Sequence, residues 1–174
     1  MIDEKLVKKM QSGTGCVVVM AGSDSDQPHI EEVIKGLDKY NLPHEVRICS
    51  AHKQPEELKA MIDEYNAVGG TVVYIAIAGG TDALSGTLSF HAMGPVVSCP
   101  PDAPNATCLT NPPGSSNAYV ARAANAARFA AQVFAGANPS LRKILEDEIG
   151  AKRKKLEEKD KEFRAKYRSL GEGK

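Results

Sequence analysis

The stretch Thr71-Val72-Val73-Tyr74-Ile75-Ala76-Ile77-Ala78 carries no charge and is rich in β-branched residues. Such a run marks a strand buried on both faces, as in the interior of a parallel sheet. It is far short of the roughly 18 apolar residues that a membrane span requires. A second run, Cys16-Val17-Val18-Val19-Met20, has the same character. Glu45–Cys49 and Pro95–Cys99 read as two further strands.

Between these runs the apolar period changes from continuous to helical. Ile30, Val33, Ile34 and Leu37 share one helix face, with Pro28 suited to the first turn and Asn41 and Pro43 ending it. Leu58, Met61, Ile62 and Tyr65 mark a second helix, closed by Gly69-Gly70, and a short third runs through Leu84 and Leu88. Strands alternating with helices at this spacing specify right-handed βαβ units. The expected fold is α/β: a doubly wound parallel sheet in three α/β/α layers, flavodoxin-like, with a C-terminal helical extension.

The remaining segments set the boundaries. Residues 1–14 read as a frayed leader or short helix, 15–138 as the α/β domain and 139–174 as a charged helical extension. Residues 100–114 form a Pro-rich loop with a short strand expected near Thr107-Cys108-Leu109. A long helix is expected from Ser115 to Ala135. Nine of the eighteen residues from Ala118 to Ala135 are alanine. So few large groups suggest close helix–helix packing between subunits. In the extension, Leu141, Ile144, Leu145, Ile149, Leu156, Phe163 and Tyr167 form a loose apolar stripe. It reads equally as a helix on a neighbouring subunit or a solvated one.

Charge narrows the function classes. The net charge is zero, yet residues 1–138 carry a balance of −4 and residues 139–174 a balance of +4. A strongly basic nucleic-acid binder is disfavoured. Aromatics are 5% and Trp is absent, too few for a base-stacking platform. Cys16, Cys49, Cys99 and Cys108 are scattered singly, without metal-ligand spacing, and the start does not read as a secretory signal. They are expected to be reduced, in a cytoplasmic protein with no metal.

In a doubly wound sheet, ligands bind beyond the carboxyl ends of the strands. Three unusual loops fall there. Residues 21–26 offer Ser23, Ser25 and Asp26 ahead of a helix, suited to a phosphate. Residues 50–55 offer Ser50, His52 and Lys53: a hydroxyl, an imidazole and a cation. Residues 79–86 offer Gly79 and Gly80, which allow close backbone approach. Taken singly, each has a plainer reading: a helix cap, a loop histidine, a turn. Their convergence on one sheet edge carries the functional reading. His29 and His91 read as structural, and His44 has no such company. There is no P-loop, no G-x-G-x-x-G after the first strand and no G-x-S-x-G elbow. A receiver domain would need an Asp closing the third strand and a Lys after its last strand; here the third strand ends Ala78-Gly79-Gly80, and no Lys lies between Lys59 and Lys143.

At these loops the chain resembles the phosphoribosylaminoimidazole carboxylases and carboxyaminoimidazole ribonucleotide mutases of purine biosynthesis. The matching pieces are Gly22-Ser23-Asp24-Ser25-Asp26, Ser50-Ala51-His52-Lys53 and Ala78-Gly79-Gly80-Thr81-Asp82-Ala83-Leu84-Ser85-Gly86, with Ser98-Cys99-Pro100-Pro101 and Pro113-Gly114. Lys53, the lack of a histidine at Ala83, His29 and Cys99-Pro100-Pro101 look like the carbon-dioxide-using carboxylase branch. Gly80 is mutase-like. The resemblance implies a catalytic base, His52. It also implies a substrate site from Ser23, Ser25, Asp26, Ser50, Lys53, Gly79, Gly80, Thr81, Asp82 and Leu84, with no cofactor. The mutase, and a non-catalytic nucleotide- or flavin-phosphate-binding module, stand as alternatives. No nucleic acid or membrane partner is expected.

The family resemblance, the alanine-rich helix and the striped extension together imply a homo-octamer or homotetramer. Light scattering at micromolar concentration should therefore give at least four times the chain mass of 18.6 kDa. A stable monomer contradicts this.

Overall fold

The computed structural model describes residues 2–168. Five strands form one parallel sheet: β1 (Cys16–Ala21), β2 (His44–Ile48), β3 (Val72–Ile77), β4 (Val96–Ser98) and β5 (Asn117–Tyr119). Their order is β2-β1-β3-β4-β5. β1 pairs with β3 from Cys16↔Val72 to Ala21↔Ile77, and every residue of both strands is buried. The chain winds outward from β1 to β2, then back to β3 on the other side of β1. A crevice opens at that reversal, beyond the carboxyl ends of the strands.

Helices cover both faces. They are α1 (Glu4–Gln11), α2 (Gln27–Lys39), α3 (Pro55–Val68), α4 (Ala83–His91), α5 (Ala123–Phe134) and α6 (Pro139–Tyr167). Val17, Val19, Val73 and Ile75 point to the face held by α2, α5 and the start of α6. Val18, Met20, Tyr74 and Ala76 point to the face held by α1, α3 and α4. The period-2 alternation of the strands thus divides one apolar run between two cores.

Of the two readings of residues 1–14 the short helix holds: α1 is capped by the Asp3 carboxylate, which accepts from the Lys5 N–H, and Leu6 and Met10 are buried beneath it. Two expectations change. The region expected to be helical from Ser115 begins instead with β5, which pairs with β4 from Val96↔Asn117 to Ser98↔Tyr119. Asn-Ala-Tyr has no strand pattern of its own; the exposed edge of β4 supplies the hydrogen bonds that make it one. The strand expected near Thr107 is a 3₁₀ turn, Thr107–Thr110.

The alanine-rich face also has a different use. Ala123, Ala126, Ala127, Ala130 and Ala131 are buried within this chain, in the core shared with α2. Gly36 of α2 lies so near that a Cβ there would sit 2.7 Å from Ala127 Cβ. Small residues let two helices approach closely inside the subunit.

α6 begins in the core and then leaves it. Leu141 and Leu145 are buried, whereas Leu156, Phe163 and Tyr167 are exposed. At the departure point Glu148 accepts from Lys39 Nζ at 2.6 Å, Tyr40 Oη at 2.7 Å and Lys152 Nζ at 2.7 Å. Arg128 Nε lies 3.5 Å away. Burial opposes the carboxylate, but these bonds outweigh it and hold the Glu148 carboxyl down to about 2.

Two changes test this packing. Gly36→Val should lower stability by about 1–3 kcal/mol, through overpacking against α5, read as a shift in the urea midpoint. Glu148→Gln should cost about 1–3 kcal/mol at pH 7. Because folding depresses the Glu148 pKa, its contribution is present above pH 4.5 and is lost as pH falls toward 2. The gap between variant and wild type should therefore narrow over that window.

Candidate active site

β1 ends at Ala21, where the chain turns into a 3₁₀ segment, Asp24–Asp26, that leads directly into α2. The Ser23 hydroxyl accepts from the Ser25 N–H at 3.2 Å and from the Ser25 hydroxyl at 2.8 Å. The two hydroxyls are thus held as a pair before the N-terminus of α2. β2 ends beside them, with the Cys49 N–H bonded to the Ala21 carbonyl at 2.9 Å. Beyond it the Ser50 hydroxyl accepts from the Lys53 N–H at 3.3 Å, which rounds the loop and exposes His52 and Lys53.

The three loops meet in one cleft of about 280 Å³, lined by Gly22, Ser23, Ser25, Asp26, Ser50, Ala51, His52, Ala78, Gly79, Thr81 and Leu84. His52 thus shares a cavity with three serine hydroxyls, one carboxylate and the glycine-rich backbone. Burial pushes the Asp26 carboxyl above the ordinary aspartate value; Asp102 and Asp24 add to this and His29 opposes it.

Three expected site residues lie elsewhere. Lys53 is exposed and outside the cleft lining, although its loop is at the rim. Asp82 is buried, at 3% exposure, and faces inward. It accepts from the Ser85 N–H at 2.9 Å, capping α4, and from the Ser98 hydroxyl at 2.6 Å. Its carboxylate is engaged in holding α4 to the end of β4. Gly80 does not line the cleft, and its N–H donates to Asp102 Oδ2 at 2.9 Å.

Asp102 is the neighbour that the sequence reading missed. It belongs to the Pro-rich loop after β4, and the only signal for it was that position beyond a strand's carboxyl end. The Gly80 N–H and the Asn105 amide hold its carboxyl below the ordinary value. The remaining histidines have local partners. His29 Nε2 lies 3.3 Å from Cys99 Sγ, and burial raises that thiol to about 12, so it stays protonated. His44 Nδ1 lies 3.0 Å from the Leu42 carbonyl, and the His91 carbonyl accepts from the Asn66 side chain. Among the described residues, no cluster of three or more His, Cys, Asp or Glu could hold a metal ion. No helix among them is long and apolar enough to cross a membrane.

The family model for AIR carboxylase matches residues 16–158. Phosphoribosylaminoimidazole carboxylase from Treponema denticola is 36% identical over 124 residues, covering 68% of this chain and 78% of that one. The human bifunctional phosphoribosylaminoimidazole carboxylase/phosphoribosylaminoimidazole succinocarboxamide synthetase is 34% identical over 144 residues, covering 79% of this chain. This chain spans only 34% of that longer protein. The crystal structure of Treponema denticola PurE matches with a TM-score of 0.81 at 30% identity, over 85% of this chain and 98% of that one. With a family model spanning most of its length, and relatives this similar in both sequence and structure, the chain belongs to the AIR carboxylase family.

Proposed function

We propose that this cleft joins carbon dioxide to phosphoribosylaminoimidazole, giving carboxyaminoimidazole ribonucleotide for purine biosynthesis, reversibly and without ATP. The observation that carries this reading is His52 in one cavity with Ser23, Ser25, Ser50, Gly79 and Thr81. The serine side, at the N-terminus of α2, suits the substrate phosphate. Lys53 at the rim offers a point cation to the same group. Asp26 is placed to accept from ribose hydroxyls.

The aminoimidazole ring is electron-rich and enamine-like. Its ring carbon attacks the carbon of carbon dioxide, forming the carbon–carbon bond while one C=O π pair moves onto oxygen. The ring carbon is then tetrahedral and still bears its proton. His52 removes that proton, and the released electron pair restores the aromatic ring; in reverse, His52 returns it. The Thr81 hydroxyl and the backbone beside Gly79 can donate to the new carboxylate. Leu84 supplies an apolar wall. Gly80 N–H and Asp82 take no direct part, since both are engaged within the protein.

Carbon dioxide is favoured as the carboxyl donor by the family resemblance: Ala83, the first residue of α4, occupies the place of the histidine that the mutase branch carries. The mutase reading is supported by the glycine at position 80 and by a relative, 29% identical over 139 residues, named as a probable N5-carboxyaminoimidazole ribonucleotide mutase. We place the protein in the cytoplasm, take residues 15–138 as the catalytic unit and assign a homo-oligomer. The exposed Leu156, Phe163 and Tyr167 of α6 support a partnered extension.

His52→Asn should lower turnover by roughly a hundred- to ten-thousandfold while nucleotide binding persists. Near-normal turnover refutes the mechanism. The branch is tested with two substrates in one buffer. Aminoimidazole ribonucleotide with bicarbonate and carbonic anhydrase should turn over. Fresh N-carboxylated nucleotide with carbon dioxide stripped away should not; the opposite result assigns the mutase.

A further inference from the structure

Gly79 and Thr81 line the cleft, and Gly80 joins them from behind the lining; nothing in its own sequence fixes its orientation. Gly80 has φ +65°, and a Cβ there would meet nothing within 4 Å. A glycine in open space is free to rotate its flanking peptides. Yet both polar groups of Gly80 are bonded to side chains of the loop after β4. Its N–H donates to Asp102 Oδ2 at 2.9 Å. Its carbonyl accepts from Asn105 Nδ2 at 2.7 Å and lies 3.2 Å from the Thr107 hydroxyl.

The three side chains are also bonded to one another. Asn105 Nδ2 lies 3.0 Å from Asp102 Oδ1 and 3.2 Å from Asp102 Oδ2. The Thr107 hydroxyl is 2.7 Å from Asn105 Oδ1 and accepts from the Asp82 N–H at 3.0 Å. The Tyr119 hydroxyl of β5 accepts from the Asn105 N–H at 3.3 Å, which ties the loop to the sheet. Residues 80–82 are therefore held from outside by a connected polar network. Asn105 is nearly buried, at 9% exposure, whereas Asp102 and Thr107 are exposed.

We propose that Asp102, Asn105 and Thr107 are positioning residues that clamp Gly80 on both its N–H and its C=O, so that its cleft-lining neighbours Gly79 and Thr81 keep one backbone orientation during turnover. This rests on the carboxylation reading above, because the wall is where the new carboxylate forms. Asp102 acts through Gly80 and need not touch substrate. The lowered Asp102 pKa agrees with a carboxylate engaged by the Gly80 N–H and Asn105.

The test pairs a removing variant with a conservative one at each exposed position. Asp102→Ala should lower kcat roughly ten- to hundredfold, the cost of a small misplacement, and change the nucleotide KM less than about twofold. Asp102→Asn keeps an acceptor oxygen at the same place and should recover most of kcat. Thr107→Val should lower kcat and Thr107→Ser should restore it. All four should melt within a few degrees of wild type. Hydrogen exchange of the Gly80 amide, followed by NMR, should be slow in wild type and in Asp102→Asn but fast in Asp102→Ala. Unchanged kcat in Asp102→Ala, a loss confined to KM, or no recovery in the conservative variants overturns the positioning role. A Gly80 amide that exchanges fast in wild type overturns the clamp itself. A wild-type protein inactive toward both nucleotides overturns the carboxylation reading instead, and the exchange data then decide the clamp separately.

Discussion

The parallel pairing of β1 with β3 is the contact on which the molecule depends. All twelve residues of these strands are buried, and each fully buried Val or Ile contributes roughly 1.5–3 kcal/mol relative to exposure. The pairing also fixes where function can occur. Both strands run in the same direction, so the 21–26 loop and the 78–82 loop emerge side by side. β2 lies against the other edge of β1 and delivers Ser50 and His52 to the same end. The cleft is the space left where three carboxyl ends converge and the winding reverses.

Polar contacts at the edges of this apolar frame decide how rigid each part is. Asp82 is buried to cap α4 and to receive the Ser98 hydroxyl, so the helix behind the cleft is held to the neighbouring strand. Glu148 gathers Lys39, Tyr40 and Lys152 where α6 leaves the core, which fixes the direction of departure. Both are carboxylates taken partly or fully out of water, and each is stabilised there by the donors around it. The cleft hydroxyls, by contrast, are bonded only within their own short loops, Ser25 to Ser23 and the Lys53 N–H to Ser50, and line the cavity beside His52.

Much of this was legible from residue pattern. The unbroken β-branched runs identified the central strands, and the helical apolar period identified α2 and α3. The loops carrying Ser23, Ser25, Asp26, Ser50, His52, Gly79 and Thr81 were placed on one edge by the topology alone, and the cleft contains all of these residues. β5 was illegible because Asn117-Ala118-Tyr119 becomes a strand only when β4 offers an edge. The alanine face of α5 was misread because its pattern states that something packs closely, but not whether that partner is Gly36 of the same chain or another subunit.

By itself the sequence determined the alternation of strand and helix, the parallel sheet and the edge at which chemistry belongs. Those follow from local periodicity, which acts between residues close along the chain. Only the tertiary structure decided which polar groups at that edge are free. Asp82 looked like a ligand for substrate until its carboxylate was seen bonded to Ser85 and Ser98. Gly80 looked like a free backbone donor until Asp102, 22 positions away, was seen accepting from it. A hydrogen bond is settled by distance and angle in space, and no spacing in the sequence encodes which distant acceptor a given N–H will meet.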